Sequence, residues 1–226
     1  MHLASSPAPV TSMRSSVDVT LLGVRVTAHV VIDLAEHRRR EEAGMAAVID
    51  PALLDRLMDV PARIPVIDPV LWAEAADQPP GILERGEDGT SVTRCLESPL
   101  FIADVVVQAA SGRELRAVQD ASLFAGFTRR WVAAARSRVP DAVMLEAKLC
   151  GVGVGVGVGV GVGVGVGDPG HRVLLAAEKP VALTRDGWSW LLEEKAYRRW
   201  LNGQRRPGGT ASPGPPTAGA SAAWAS

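Results

Sequence analysis

The sequence predicts a mixed α/β fold of the α+β class, formed as a single domain with short strands and about six helices. Three observations support this class. Apolar residues alternate with polar ones in several stretches, which is typical of strands. Asp-Pro and Asp-x-x-Glu motifs recur where helices would begin. An apolar content of 47% in 226 residues is enough for one sizeable core.

The predicted domain covers residues 16–206, and residues 1–15 and 207–226 are expected to be disordered because they are rich in Pro, Ser, Ala or Gly. A formal charge of −1 gives no overall attraction to nucleic acid or to anionic membranes. The start of the chain lacks the features of a signal peptide, so we expect a cytoplasmic location. Arg outnumbers Lys by 21 to 3, which suggests a bacterial genome rich in GC and makes arginine clusters weaker evidence for binding.

Cys95 and Cys150 are isolated in the sequence, and we expect two reduced thiols. The four histidines show no metal-binding spacing. We therefore expect neither a metal site nor a cofactor, except for Mg²⁺ under the nuclease alternative given below.

The first elements are predicted from alternation and capping motifs. Alternation runs from Val17 to Ile32 and changes phase at Gly23, which predicts a strand pair with a bulge or tight turn. Asp33 and Glu36 form a variant of the capping box and predict a helix of about thirteen residues. Three consecutive arginines in this helix are flanked by glutamates, and we expect these charges to face water.

Two similar segments follow, and each is predicted to be a short strand that enters a helix capped by an Asp-Pro pair, Asp50-Pro51 and Asp68-Pro69. Residues 78–90 are polar and rich in Pro and Gly, which predicts a loop. Residues 98–110 could form a helix or a strand.

A helix is predicted over residues 111–138, because apolar residues recur there at three- and four-residue steps. Arg129 and Arg130 would lie on its outer side as part of a basic patch. The last helix begins at a cap formed by Asp186 and ends at Asn202-Gly203.

The second half of the last helix mixes two aromatic residues, Tyr197 and Trp200, with basic ones. This composition suits base stacking and phosphate contact. It also suits an amphipathic helix with its aromatic residues in the core, which is the interpretation we favour. The basic residues are Lys195, Arg198, Arg199, Arg205 and Arg206.

Residues 151–167 alternate glycine and valine throughout. This period of two favours β structure, and a membrane helix would lose about 1 kcal/mol for each glycine relative to alanine. We expect the run to be an insert between a strand near residues 142–152 and another near residues 172–183. Its pairing register is poorly specified, so it could also pair with other chains.

One short motif contains residue types that could bind a metal ion and catalyse a reaction. Pro140-Asp141, followed by Glu146-Ala147-Lys148, resembles the P-D…(D/E)-x-K signature of the restriction-endonuclease-like nuclease superfamily. The resemblance implies that Asp141 and Glu146 hold a Mg²⁺ ion and that Lys148, on the same strand face as Glu146, activates water. The alternative is a Glu–Lys pair on an edge strand that faces water.

The leading functional hypothesis is a non-enzymatic interaction module, with nucleic acid or another protein as the partner of its arginine-bearing helices. A metal-dependent nuclease that uses Glu146 and Lys148 is the first alternative. A protein that self-associates through the Gly-Val run is the second. A membrane partner is not expected.

Overall fold

A computed structural model describes residues 11–136, 138–156, 172–180 and 186–204. These residues form one α+β domain, as predicted, with six α-helices and a mixed six-stranded sheet in the order β1-β2-β6-β7-β8-β9. A smaller three-stranded sheet has the order β3-β5-β4. The strands are β1 (Ser12–Leu21), β2 (Val24–Asp33), β3 (Pro65–Ile67), β4 (Leu83–Arg85), β5 (Ser91–Arg94), β6 (Leu100–Ala109), β7 (Arg129–Ala134), β8 (Gly153–Val156) and β9 (Arg172–Leu175). The helices are α1 (Leu34–Glu42), α2 (Pro51–Met58), α3 (Pro69–Glu74), α4 (Glu114–Ser122), α5 (Asp141–Leu149) and α6 (Gly187–Gln204).

The strands β1 and β2 form a hairpin, and the tight turn predicted at Gly23 is confirmed. Leu22 and Gly23 form its two-residue loop with φ angles of 50° and 80°. Positive φ at both positions is the conformation that matches the twist of paired strands. The strand β1 begins at Ser12, ahead of the predicted domain start at residue 16.

The middle of the large sheet is parallel, with β7 between β6 and β8. The segment left open between helix and strand, residues 98–110, contains β6. The single helix predicted over residues 111–138 is wrong, because α4 ends at Ser122 and β7 follows. The strand β7 is buried along nearly its whole length, so it lacks the alternation by which a half-exposed strand is recognised.

The helices α4, α5 and α6 pack on one face of the large sheet and form the main core with it. Among the described residues, the other face has only a small apolar cluster of Val106, Trp131 and Ala133, against which Ala177 packs. The domain therefore has two layers, and much of one sheet face carries polar side chains.

The helix α6 joins the main core to a second core beneath the small sheet. Trp190 and Leu191 belong to the second core, whereas Tyr197 and Trp200 belong to the main one. The predicted cap at Asp186 is confirmed, since its carboxylate accepts a hydrogen bond from the Ser189 amide at 2.7 Å. The predicted stop at Asn202-Gly203 is wrong, because α6 continues to Gln204.

The helix starts at Asp50 and Asp68 are also confirmed, and each carboxylate accepts two backbone amide bonds. The strand predicted ahead of Asp68 is present as β3. The strand predicted ahead of Asp50 is absent from the described residues, in which residues 45–50 have no regular structure.

The Gly-Val run contributes its first residues to β8, which pairs with β9 in antiparallel fashion. This confirms a strand pair around the run, but the first strand begins after residue 152 and not near residue 142. Val152, Val154 and Val156 face the main core, and Gly153 lies beside Trp131 in the parallel pair. Residues 157–171 lie outside the described residues. Among the described helices, none is long and apolar enough to cross a membrane.

Candidate functional site

The residues of the nuclease-like motif lie on a helix and not on a strand. Asp141, Glu146 and Lys148 all belong to α5, whose sequence is rich in the good helix formers Ala, Leu, Met, Glu and Lys. Residues two apart on a helix are turned by about 200° from each other, so Glu146 and Lys148 do not share a face. The predicted E-x-K strand is therefore wrong. In the described ranges, no group of three or more His, Cys, Asp or Glu side chains could hold a metal ion.

Arg129 and Arg130 are strand residues with contacts inside the domain, so the predicted basic patch on a helix is wrong. The Arg129 side chain lies 2.9 Å from one oxygen of Asp104 through Nε and donates to the other oxygen at 3.1 Å through Nη2. Arg130 is only 6% exposed. Its Nη2 donates to the carbonyl of Gly151 at 3.3 Å, just after the end of α5.

The basic residues of α6 differ in their exposure because of the way this helix packs. Tyr197 and Trp200 are 1% and 6% exposed, which confirms the core interpretation and leaves them unable to stack on bases. Arg198 and Arg199 are exposed, whereas Lys195 is half-buried. The Nε of Arg199 donates to the carbonyl oxygen of Asp18 on β1 at 2.9 Å. Arg205 and Arg206 lie outside the described residues.

A buried ion network joins α1 to α6, and sequence reasoning missed it. Arg40 is fully buried and binds both carboxylate oxygens of Glu194, at 2.9 and 2.7 Å. Its Nε also donates to Glu36 at 2.9 Å. Burial alone would raise the pKa of Glu36, but the hydrogen bonds and charges of Arg39 and Arg40 outweigh it and hold this pKa below its ordinary value. The expectation that these charges face water is wrong for Arg40 and Glu36.

The one sequence signal for this network was Glu194 in the middle of an otherwise apolar helix face. Both members of the Arg40–Glu194 pair are fully buried, and their charged groups bond to each other. We therefore assign the network to the stability of the domain and not to ligand binding.

A cleft of about 920 Å³ lies where β1 and β6 begin, beside the first turn of α6. The carboxylates that line this cleft already accept hydrogen bonds within the domain. Asp33 accepts two amide bonds at the start of α1, Asp186 caps α6, and Glu193 accepts a bond from the Ser98 hydroxyl at 2.6 Å. The cleft therefore offers few polar groups to a ligand.

A row of polar side chains crosses the open face of the large sheet. Strand register places Ser16, His29, Asp104 and Arg129 next to one another on four successive strands. The Ser16 hydroxyl lies 2.9 Å from Nδ1 of His29. The Asp104 carboxylate is held by Arg129 and by Nε1 of Trp131, at 3.2 Å from the latter. In a Ser-His-Asp triad, the serine contacts Nε2 of the histidine and the aspartate accepts from Nδ1. Here Ser16 contacts Nδ1, and Asp104 is held by Arg129 and Trp131. The row therefore lacks the hydrogen bonds of a triad.

The charge state of His29 is set by its place in this row. Burial lowers the pKa of His29, and the negative charge of Asp104 opposes this effect without cancelling it. The imidazole is therefore neutral at pH 7. The row presents the Ser16 hydroxyl and, partly, the His29 imidazole at the surface, whereas the Asp104 carboxylate is buried.

The strand β1 forms one edge of the sheet. It pairs with β2 on one side, and no described strand lies on its other side. Main-chain groups in an antiparallel pair point alternately toward the partner strand and away from it. The carbonyl of Thr11 accepts from the Leu34 amide, so the odd-numbered residues of this segment bond inward. The even-numbered residues bond outward, as the contact of Asp18 with Arg199 shows. These residues are Ser12, Arg14, Ser16, Asp18 and Thr20.

The outer edge of β1 and the adjoining polar row form one continuous surface, which is the candidate functional site. Sequence reasoning found the strand but not its position at an edge, because neighbouring strands are brought together by residues far away in the chain. No family model, curated protein or solved structure matches this chain.

Proposed function

We propose that this protein is a non-enzymatic interaction module that binds an extended protein segment along the outer edge of β1. One observation carries the proposal, namely that a ten-residue strand lies at the edge of the large sheet with its even-numbered residues bonding outward. A free edge is a template for another strand, and proteins use it to bind peptides by main-chain hydrogen bonds.

The dimensions of the edge suit such a segment. Ten residues in β conformation span about 34 Å, which is longer than an average strand. The contact between Arg199 and the Asp18 carbonyl occupies only one position near the turn. The half of β1 from Ser12 to Ser16 is therefore the more accessible part for a first contact.

Side chains on either side of the edge would give the site its selectivity. On the open face, Ser16 and Asp18 stand next to the polar row, and Asp18 accepts a bond from the Thr27 hydroxyl at 2.8 Å. On the helix-covered face, Met13 is 38% exposed. A bound segment would therefore alternate polar and apolar side chains, in the pattern of a strand whose two faces differ.

Two of the arginines predicted to contact nucleic acid, Arg129 and Arg130, do not favour it as the partner. Arg129 is paired with Asp104 and Arg130 is buried, so neither offers a free charge for phosphate. The nuclease alternative also loses support, because α5 turns Glu146 and Lys148 away from each other. The two free cysteines are consistent with a cytoplasmic location.

The proposal is tested by selecting peptides from a random display library on the immobilised wild-type protein. We then compare the binding of the selected peptides to the Ser16→Pro and Ser16→Ala variants. Proline removes the outward amide of Ser16 without removing a bond to β2. Alanine keeps this amide and loses only the hydroxyl. We expect binding to wild type and to Ser16→Ala, and loss of binding to Ser16→Pro.

Hydrogen exchange locates the bound peptide. Bound peptide should slow exchange at the outward amides of Arg14, Ser16 and Asp18, and should leave those of Val17 and Val19 unchanged because these already bond to β2. The proposal would be contradicted by selected peptides that bind Ser16→Pro as tightly as they bind wild type. It would also be contradicted by peptides that slow hydrogen exchange at another surface.

A further inference from the structure

We infer that the segment bound at β1 is β1 of a second copy of this chain, in a symmetric antiparallel pair centred on Ser16. This inference rests on the proposed function, because it uses the same edge of the same strand. It makes the two six-stranded sheets continuous across a twofold axis.

The charges along the edge select this register. With Ser16 opposite Ser16 of the second copy, Arg14 lies opposite Asp18 of the second copy, and the symmetry repeats the pair. Both side chains belong to even-numbered positions and project from the open face. Opposite charges directly across an antiparallel pair stabilise it, whereas like charges there destabilise it.

Other symmetric registers lose this complementarity, because centring the pair on Ser15 or Val17 places both charges opposite uncharged residues. Centring the pair on Arg14 places two arginines opposite each other, and centring it on Asp18 places two carboxylates opposite each other. The Thr27 hydroxyl holds the Asp18 carboxylate at 2.8 Å and so fixes its position on the open face. Asp18 is therefore ordered before a second copy arrives.

The helix-covered side of the strand also fits this register. Met13 would lie opposite Val19 of the second copy, and Ser15 would lie opposite Val17. Met13 is 38% exposed in the single chain, and Val19 is partly exposed. Pairing therefore covers apolar surface on one face while it joins opposite charges on the other.

One contact opposes the pairing. The carbonyl of Asp18 accepts from Arg199 in the single chain, yet in the dimer it would accept from the amide of Arg14 of the second copy. Arg199 must therefore move aside or share this oxygen. By symmetry each copy loses this bond, so the free energy of pairing is reduced by two such losses, and this limits how tightly the two copies associate.

The test is sedimentation equilibrium of the full chain from about 1 μM to about 500 μM, a range in which association depends on concentration. We expect a wild-type dimer. Arg14→Asp and Asp18→Arg each replace two attractive pairs by two repulsive ones, so each should raise the dimer dissociation constant about tenfold or more. Circular dichroism confirms that each variant is folded.

Two combinations isolate the pairing of charges from any other effect of the substitutions. The double variant Arg14→Asp/Asp18→Arg exchanges the two charges and should dimerise like wild type. An equimolar mixture of the two single variants should form a heterodimer, because one copy then carries aspartate at both positions and the other carries arginine at both. Every cross-strand pair between positions 14 and 18 is then attractive.

Arg25→Asp, on β2 and away from the edge, is the matched control and should dimerise like wild type.

The outcomes separate this inference from the proposed function. A wild-type protein that is a monomer at every concentration overturns the inference. A dimer that the single charge changes leave intact also overturns it. So does a dimer that neither the double variant nor the mixture of single variants restores. If the wild type is a monomer whose selected peptides still depend on the Ser16 amide, the proposed function stands. If neither dimer nor peptide binding is found, both are overturned.

Discussion

The indole ring of Trp131 lies against the backbone of Gly153 on the neighbouring strand. A β-carbon placed on Gly153 would be 2.6 Å from Cζ3 of the ring and 2.8 Å from the amide nitrogen of Ala177. The ring cannot easily move aside, because its Nε1 donates to Asp104 at 3.2 Å. The glycine at this position of the Gly-Val run is therefore required by packing.

We predict that Gly153→Ala lowers the free energy of unfolding by about 2 kcal/mol, the usual cost of overpacking a well-packed site. Urea denaturation of the two proteins measures this change. Gly203→Ala is the matched control, because a β-carbon there meets no atom within 4 Å. In a helix this control should be neutral or stabilising by up to about 1 kcal/mol. Equal stability of Gly153→Ala and wild type would contradict the prediction.

The buried pair of Arg40 and Glu194 gives a second prediction. Glu194→Gln leaves the buried guanidinium with only Glu36 as a charged partner among the described residues, so we expect a loss of about 3–5 kcal/mol in the free energy of unfolding. The double variant Arg40→Met/Glu194→Leu removes both charges and should recover much of that loss, because an apolar pair needs no counter-charge. Thermal or urea unfolding measures both.

The pair of Arg116 and Asp120, at the surface of α4, is the control for the ion network. It has the same charges at i,i+4 spacing, but the Arg116 side chain is 72% exposed. Asp120→Asn should cost no more than about 0.5 kcal/mol. A cost for Glu194→Gln as small as that of the control would contradict a structural role for the network.

Helix starts could be predicted from the sequence because their physics is local. The carboxylates of Asp33, Asp50 and Asp68 each bond to amides two and three residues ahead. All the information for such a cap lies within about four residues of chain. The turn at Gly23 could be predicted for the same reason.

Positions that depend on distant residues could not be predicted. Arg40 is buried because Glu194, 154 residues further on, lies beside it, and a local pattern of mixed charges indicates only an exposed helix. The strand β7 is buried on both of its faces, so it lacks the alternation of a half-exposed strand, and its apolar residues matched a helical period by chance. The edge position of β1, on which the candidate site depends, likewise follows from strand order and not from the composition of the strand.

The imidazole of His29 offers a prediction about pH. Because burial lowers its pKa, NMR titration should place the His29 pKa below the ordinary value of 6.5. The folded state then binds fewer protons than the unfolded one, so this group contributes stability above pH 6.5 that is lost as the pH falls through the pKa of the folded state. Asp104→Asn should lower the His29 pKa further, because it removes the charge that raises it.

Asp120→Asn is the control for this titration, because Asp120 belongs to α4 on the other face of the sheet. It should leave the His29 pKa unchanged. A His29 pKa at or above 6.5, or one that Asp104→Asn raises, would contradict the assignment of burial as the dominant effect.

Arg199 yields the last prediction, because it occupies one of the outward carbonyls of β1 that an incoming strand needs, that of Asp18. Arg199→Ala frees this oxygen without altering the outward amides, so pairing no longer requires the loss of a bond. One exposed hydrogen bond is worth about 0.5–1.5 kcal/mol, and the symmetric pair loses two of them, so we expect Arg199→Ala to lower the dimer dissociation constant about fivefold or more. Arg198→Ala removes the same charge from the next position of α6 and separates loss of the bond from loss of charge. If the two variants tighten pairing equally, charge and not the Asp18 carbonyl restrains the edge. If Arg199→Ala weakens pairing, the edge is not the docking surface.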